Sequence, residues 1–231
     1  MKNRFTLHNV TKQFVGAPSG VLPLHVLNDI SVQFEEGERY AIAGISGTGK
    51  STFLSLLAGI DEVTTGSVLY NTYEVYPLAK ESPLSFYTKH VSMIFQVPYL
   101  INELSVLENI MLRGMITGQS PTESRKRAFE LLEKVDLADK ALLAPATLSL
   151  GQAQRVAVLR ALFSKPSFVI ADEPTAHLDG QTREMVLSLL DDFHQSGGGL
   201  IMTSHDPSVI KRMHKIYDLV EGNLVPRLRR T

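Results

Sequence analysis

The N-terminal part of the chain alternates apolar and polar side chains, which is typical of strands with one buried face. One such stretch begins at Phe5, and residues 26–34 and 39–43 supply two more. Glu36 and Gly37 separate the last two stretches and favour a turn. The pattern therefore predicts a run of β-strands at the start of the chain.

The middle of the chain changes to helical spacing, over residues 104 to about 162. Ser120 and Pro121 predict a helix start, because serine can cap a helix and proline fits its first turn. Glu123 can reach back from the third helical position and close a capping box. A further helix is predicted over residues 149–160.

After the helical stretch, short apolar runs alternate with helical spacing. Residues 168–171 and 200–203 are typical of buried strands, and residues 181–194 of a helix that ends at consecutive glycines. Such alternation predicts a parallel sheet with helices packed on it. We predict one α/β domain over residues 1–231, with its core at about 1–96 and 162–231. A mostly helical subdomain is predicted at about 97–161.

Composition and charge narrow the class of protein. The chain is 44% hydrophobic with a formal net charge of −1, so we expect no nucleic-acid partner. We interpret Arg227, Arg229 and Arg230 as a short solvated run. The absence of cysteine excludes disulfides and thiolate metal sites. We find no apolar run long enough for a bilayer and no signal-peptide pattern, so we expect a cytoplasmic protein. If it acts at a membrane, another chain must tether it.

Residues 44–51 contain a pattern that binds phosphate groups. They match G-x-x-x-x-G-K-[ST] and stand between a predicted strand and a predicted helix. The glycines let successive backbone amides turn toward phosphate oxygens, and the helix N-terminus adds its dipole. Lys50 would place a positive charge at the β- and γ-phosphates, and Ser51 a hydroxyl at Mg²⁺. The pattern predicts a nucleotide site.

The strand predicted at 168–171 is followed by two carboxylates, Asp172 and Glu173. Asp172 can hold Mg²⁺ through water. Glu173 is expected to point the other way, because adjacent strand residues face opposite sides, and to polarise an attacking water. Alone, such a pair is more often a solvated strand end. The phosphate-binding pattern upstream favours a catalytic pair.

The segment Leu148-Ser149-Leu150-Gly151-Gln152 resembles the LSGGQ signature of the ABC family, and the QRVA sequence follows it as in the family. Other ABC features occur in the family order: Phe14 as the aromatic that stacks on adenine, Gln96 as the Q-loop glutamine, Asp179 in the D-loop and His205 as the switch histidine. The resemblance covers about residues 5–225. It implies a P-loop NTPase fold with an antiparallel β subdomain and an inserted helical subdomain.

The resemblance also implies the cofactors, the site residues and the assembly. Mg-ATP would be hydrolysed by two copies of the chain, arranged head to tail. Catalytic roles fall to Glu173, Gln96 and His205, and magnesium ligation to Ser51, Gln96 and Asp172. The nucleotide contacts would be Phe14, Gly44, Ser46, Gly47, Thr48, Gly49, Lys50, Ser51 and Thr52, with Asp179 and the signature residues Ser149, Gly151 and Gln152, which face the nucleotide of the other subunit.

Three positions depart from the family pattern. Leu150 stands where the family has glycine, which removes freedom at positive φ and adds bulk near the γ-phosphate. Phe14 replaces the commoner tyrosine, and His177 is unusual in the D-loop. None of these changes removes a catalytic group.

Within the family, residues 57–61 and 171–175 resemble the group that contains the lipoprotein-releasing, macrolide-exporting and FtsE-type ATPases. This implies a peripheral subunit at the cytoplasmic face of the inner membrane. It would power integral membrane subunits in lipoprotein release or a related export or mechanotransmission process. An FtsE-like regulatory role, with nothing transported, stays open here. The apolar residues 97–101 either contact the membrane partners or pack inside the helical subdomain.

Overall fold

A computed structural model describes residues 2–14, 23–76 and 90–227 of the chain. They belong to two compact units, residues 1–83 with 199–231 and residues 84–198. In chain order the described elements are β1 (Arg4–Phe14), β2 (Leu24–Glu35), β3 (Arg39–Ala43), α1 (Lys50–Leu57), β4 (Thr65–Tyr70), β5 (Tyr73–Glu74), β6 (Val91–Ile94), α2 (Val106–Ile116), α3 (Pro121–Glu133), α4 (Leu150–Leu162), β7 (Phe168–Asp172), α5 (Gly180–Gln195), β8 (Gly199–Thr203), α6 (Pro207–Ile210), β9 (Lys215–Val220) and β10 (Asn223–Pro226).

An antiparallel sheet in the first unit has the strand order β2-β1-β4-β5. Alternation along β1 places Phe5 opposite Phe34 of β2 and Tyr70 of β4, and all three are buried. The rings of Phe5 and Tyr70 meet edge to face at 5.2 Å. The strands predicted at the start of the chain are therefore confirmed. The first two, β1 and β2, belong to this antiparallel β subdomain, and β3 belongs to a second sheet.

A second sheet in the first unit runs in the order β10-β9-β3-β8. β3 is parallel to both β8 and β9, while β9 and β10 form an antiparallel hairpin. Burial raises the pKa of Tyr40, in β3, to about 12. Its hydroxyl accepts the backbone N–H of Glu35 over 2.8 Å. The loop after β3 therefore starts from a rigid, buried strand.

The second unit contains the parallel pair β6 and β7 and most of the helices. Every residue of β7 is buried. Residues of α2, α3 and α4 share one apolar core: Val106, Leu107, Ile110, Met111, Ala128, Leu132, Val156, Leu159 and others. The helical stretch predicted from residue 104 is confirmed, and the subdomain boundaries near 96 and 162 stay a prediction. No described helix combines the length and apolarity that a membrane span requires.

The start of α3 differs from the prediction in one detail. Ser120 caps the helix as predicted, since its Oγ accepts the N–H of Glu123 over 3.2 Å. The carboxylate of Glu123, however, accepts the hydroxyl proton of Ser120 over 2.8 Å, a strong charge-assisted bond. The full capping box, with a carboxylate on the backbone N–H of the cap, forms instead at Ser105 and Glu108.

Candidate functional site

A loop of residues 44–49 connects β3 to α1 in the first unit. Gly49 caps α1 with a left-handed backbone, φ 96°. A Cβ at this position would lie 2.6 Å from Cγ1 of Val26, so only glycine fits. The unsatisfied amides of the first turn of α1 follow immediately, which makes this end of the helix a site for anions.

The ammonium of Lys50 lies inside that loop. Lys50 is buried, and its Nζ donates to the carbonyl oxygens of Gly44 over 3.0 Å and Ile45 over 2.9 Å. The hydroxyl of Thr48 donates to the Ile45 carbonyl over 3.0 Å. Ser51 is exposed at the start of α1. The loop and the start of α1 therefore present a lysine charge, an exposed serine and helix-terminal amides, which together suit phosphate groups.

A cleft of about 940 Å³ opens beside the loop within the first unit. Gly44, Gly47 and Thr48 line it, together with His205, which is exposed and follows β8 by two residues. The structure therefore brings the phosphate loop and the predicted switch histidine to one cavity. Phe14 lies outside this lining, at the end of β1, and is 43% exposed.

The same cleft contains an ion pair that the sequence analysis missed. The guanidinium of Arg227 donates to both carboxylate oxygens of Asp218, one of them from Nε over 2.8 Å. This hydrogen bonding lowers the pKa of the Asp218 carboxyl. The interpretation of Arg227 as a merely solvated tail residue was therefore wrong, while Arg229 and Arg230 lie outside the described residues.

In the second unit, Asp172 ends β7 and Glu173 follows it. Asp172 is 9% exposed and is the last residue of this buried strand. Glu173 has left the strand and has φ 42°, in the left-handed region. The expectation that strand alternation sets the direction of Glu173 was therefore wrong, because its own backbone turn sets it. A non-glycine residue held in this conformation costs about 1 kcal/mol or more, and such residues concentrate at functional sites.

Gln96 lies two residues after β6 and is exposed. Residues 97–101 were predicted either to contact membrane partners or to pack inside the helical subdomain. Some of their side chains are buried and others are exposed. Leu100 packs against the helical core, and Pro98 is buried. Val97 and Tyr99 are 54% and 64% exposed. The segment thus has both an inner anchor and an outward apolar face.

The backbone of this segment is held by three polar side chains from α2 and α4. Gln154 donates to the carbonyl of Phe95 over 3.2 Å, and Arg160 donates to the carbonyls of Pro98 and Tyr99. Asn109 is buried and bonds both the N–H and the carbonyl of Ile101. None of these three residues was predicted from the sequence. Gln154 and Arg160 lie about 60 positions from the carbonyls that they contact, and no local pattern marks the shorter connection from Asn109 to Ile101.

Ser149 caps α4, and Gln152 completes a full capping box. The N–H of Gln152 donates to Ser149 Oγ over 3.3 Å, and the N–H of Ser149 to Gln152 Oε1 over 3.0 Å. The S-x-x-Q spacing is the signal that could have revealed this box from sequence. Leu150, in the first turn, is 51% exposed. A Cβ on Gly151 would lie 3.0 Å from Cγ2 of Thr182, so α4 and α5 begin in close contact.

Asp179 caps α5 in turn. Its carboxylate accepts the N–H of Thr182 over 3.0 Å and the hydroxyl of Thr182 over 2.7 Å. These bonds lower the pKa of the Asp179 carboxyl. The preceding His177 is exposed with φ 61°, so the turn before α5 is left-handed at this residue.

The residues predicted to bind magnesium offer oxygen donors, which are the ligands that Mg²⁺ prefers. Among the described residues, no group of three His, Asp or Glu side chains lies together as a metal site. Mg²⁺ commonly takes one or two protein oxygens and completes its shell with water and substrate phosphates. The Ser51 hydroxyl, the Gln96 amide oxygen and the Asp172 carboxylate are donors of this kind.

The loop between β3 and α1, with its buried lysine, defines a P-loop NTPase. The model of the ABC transporter family matches residues 27–176, which is more than half of the chain. The chain is 35% identical to the lipoprotein-releasing system ATP-binding protein LolD of Treponema denticola, over 96% of this chain and 98% of that protein. It is 36% identical to the macrolide export protein MacB of Bartonella henselae over 95% of this chain, and spans 33% of that longer protein.

Solved structures of ATP-binding cassettes are also similar to this chain. The ATP-binding cassette MJ0796, in a dimeric post-hydrolysis state bound to ADP and Pi, superposes with a TM-score of 0.89 at 32% identity. The match covers 98% of this chain and 99% of that one. This chain belongs to the ABC transporter family, with the ABC ATPase fold and homology to LolD and MacB-type ATPases.

Proposed function

We propose that this chain is the ATP-binding subunit of an ABC transporter, which hydrolyses ATP to ADP and phosphate to drive a membrane partner. The observation that carries the proposal is the ammonium of Lys50, held at 3.0 and 2.9 Å by the carbonyls of Gly44 and Ile45 at the N-terminus of α1. Phosphate oxygens can replace those carbonyls as acceptors, at little cost to the fold. The family match and the ADP-bound structural relative support the same reaction.

The remaining groups have distinct roles in this proposal. Loop amides and side chains from Gly44 to Thr52 would bind the phosphates, and Phe14 would stack on adenine. Ser51, Gln96 and Asp172 would hold Mg²⁺, which when bound neutralises phosphate charge. A water oxygen attacks the γ-phosphorus and transfers its proton to Glu173, while ADP leaves. His205 would donate a hydrogen bond to the γ-phosphate.

The signature residues would act on the nucleotide of a second copy. The N-terminus of α4, with Ser149 as its cap and Gly151 in its first turn, has free amides for a second anion. We infer that two chains pair head to tail and enclose two ATP molecules. The dimeric state of the MJ0796 cassettes supports this assembly.

A membrane partner would contact the outward apolar face formed by Val97 and Tyr99. In this proposal the chain would act as a peripheral subunit at the cytoplasmic face of the inner membrane. The names of its relatives favour lipoprotein release or MacB-type export, and an FtsE-like regulatory role is not favoured. Val97→Ser with Tyr99→Ser should abolish the stimulation of turnover by the membrane subunit and leave basal turnover unchanged. Leu142→Ser, at another exposed apolar side chain, is the control.

The central experiment replaces Glu173 by glutamine and follows the protein by size-exclusion chromatography with Mg-ATP. The amide keeps the shape of the carboxylate but cannot accept the water proton, so hydrolysis should fall by about 10²–10⁴-fold. ATP stays bound, and dimers should accumulate. Glu133→Gln, at the exposed end of α3, is the matched control and should behave as wild type. A monomeric Glu173→Gln protein that hydrolyses ATP at the wild-type rate would remove Glu173 from the mechanism.

A further inference from the structure

Lys12 is buried near the end of β1, with 7% of its surface exposed. Its Nζ donates to the carboxylate of Asp61 over 2.7 Å and to the carbonyl of Glu62 over 2.8 Å. Both acceptors belong to the segment that follows α1, the helix of the phosphate loop. A buried lysine needs such partners, because an unpaired ammonium away from water is costly.

The same ammonium lies over the ring of Phe14, 4.8 Å from its centroid. Residues two positions apart on a strand share one face, which brings Lys12 and Phe14 together. An ammonium at this distance attracts the electron-rich face of an aromatic ring. Phe14 is still 43% exposed, so the ammonium restrains the ring and leaves part of it accessible.

The backbone around these two residues is fastened to the same segment. The N–H of Thr64 donates to the carbonyl of Thr11, and the N–H of Gln13 donates to Thr64 Oγ1, each over 2.9 Å. The pairing of β1 with β2 has register shifts between Val10 and Gln13, although it continues to Phe14 opposite Leu24. Residues 61–64 give this irregular end of the strand a second support.

We infer that Lys12 is the positioning residue for the base of the nucleotide, because it holds Phe14 in a fixed orientation for stacking. The inference rests on the proposed role of Phe14 as the adenine-stacking ring. A ring that is already ordered loses less side-chain entropy when the base binds. The contacts of Lys12 with Asp61 and Glu62 connect that ring to the segment after α1, where the N–H of Asp61 donates to the carbonyl of Ser55 in α1 over 3.3 Å. The proposed contacts to the base and to the phosphates would then belong to one connected framework.

The test removes the ammonium and keeps the aliphatic stem, with Lys12→Met. The affinity for ATP, measured by calorimetry, should fall about 2- to 5-fold, the usual contribution of an exposed cation–π contact. KM for ATP should rise by the same factor, with kcat unchanged. Binding of inorganic tripolyphosphate, which has no base, should not change. Lys12→Arg should restore most of the affinity, because a guanidinium can contact both the ring and Asp61.

A double-mutant cycle separates this role from a structural one. If Lys12 acts through the ring, Lys12→Met should have no further effect on ATP affinity in a Phe14→Ala protein. The double variant Lys12→Met, Asp61→Asn removes both charges of the ion pair, so the Asp61 carboxylate is not left without its partner. It replaces Lys12→Met in the test if that single variant folds poorly. Asp61→Asn alone, which keeps the ammonium and its contact with Glu62, should bind ATP nearly as wild type does.

The outcomes distinguish the inference from the function on which it rests. Unchanged ATP affinity in Phe14→Ala would show that Phe14 does not stack on adenine, and the proposed base site would be wrong. A weakened Phe14→Ala with an unaffected Lys12→Met would overturn only the inference. Equal losses for ATP and tripolyphosphate, or additive losses in the double variant, would also overturn it.

Discussion

The guanidinium of Arg160 donates to the carbonyl oxygen of Tyr99 over 2.9 Å. Its other terminal nitrogen donates to the carbonyl of Pro98 over the same distance. Tyr99 has φ 43°, a left-handed conformation that a tyrosine adopts only when other contacts impose it. Desolvation lowers the pKa of Arg160, as expected for a guanidinium held among protein groups. The helix that begins with the signature therefore also restrains the segment after Gln96.

We predict that Arg160→Met destabilises the protein by about 2 kcal/mol, because two hydrogen bonds from a charged donor are lost and two carbonyls lose their partner. Arg160→Lys should cost roughly half as much, since an ammonium cannot reach both carbonyls with the same geometry. The free energy of unfolding in urea is the measurement. Lys126→Met, on the exposed face of α3, should leave it unchanged. Equal effects of the Arg160 and Lys126 variants would contradict the structural role of Arg160.

Replacing Lys50 by methionine should lower ATP turnover by about 100-fold or more, the usual effect of removing a charged donor from a transferring phosphate. The fold should survive, because the partners of Lys50 are two loop carbonyls and not a core contact. Steady-state phosphate release and circular dichroism are measured on the same sample. A stably folded variant with wild-type turnover would rule out the phosphate-site assignment.

Two N-cap serines form a matched pair. Ser149→Ala and Ser120→Ala each remove a side-chain oxygen that caps a helix, so each should cost about 1 kcal/mol of stability. Only Ser149→Ala should also lower turnover, because only Ser149 lies in the signature. Urea unfolding and turnover at saturating ATP test the pair. Parallel losses of turnover in both variants would mean that Ser149 acts through stability alone.

Substitutions of the adjacent residues Leu150 and Gly151 should lower the stability of the protein by different amounts. Leu150→Gly removes a half-exposed side chain in the first helical turn, so the stability loss should stay below about 1 kcal/mol, with turnover kept or slightly raised. Gly151→Ala inserts a methyl group 3.0 Å from Thr182, which is itself bonded to Asp179, and should cost about 1–3 kcal/mol. Thermal unfolding ranks the two, and a larger loss in Leu150→Gly would contradict this packing.

The ion pair of Asp218 and Arg227 should make stability depend on pH in acid. The pKa of Asp218 in the folded protein is lowered, chiefly by the hydrogen bond from Arg227. The contribution is therefore complete above the unfolded carboxyl pKa, about 3.9, and disappears as the pH falls through the lower folded value. Asp218→Asn should be at most about 1 kcal/mol less stable than wild type at pH 7, since the pair is partly exposed. The difference should shrink as the pH falls below about 3.9, and a difference that grows in acid would contradict this role of the ion pair.

The sequence by itself was enough to predict the elements whose causes are local. The phosphate loop needs glycines, lysine and serine at fixed spacing between a strand and a helix, and the structure has all of them in place. The cap of α3 was predicted from Ser120 and the start of α4 from residue 149, because the signals for a helix start lie within a few residues of it. The parallel sheet followed from the alternation of apolar runs with helical spacing.

Only the tertiary structure determines which distant segments of the chain contact each other. The contact of Lys12 with Asp61 joins residues 49 positions apart, and that of Arg160 with Tyr99 joins residues 61 apart. No sequence periodicity and no local motif predicts either contact, so both depend on the packing of the folded chain. The left-handed backbone of Glu173 has the same origin, because its own residue type disfavours the conformation and only the surrounding chain can impose it.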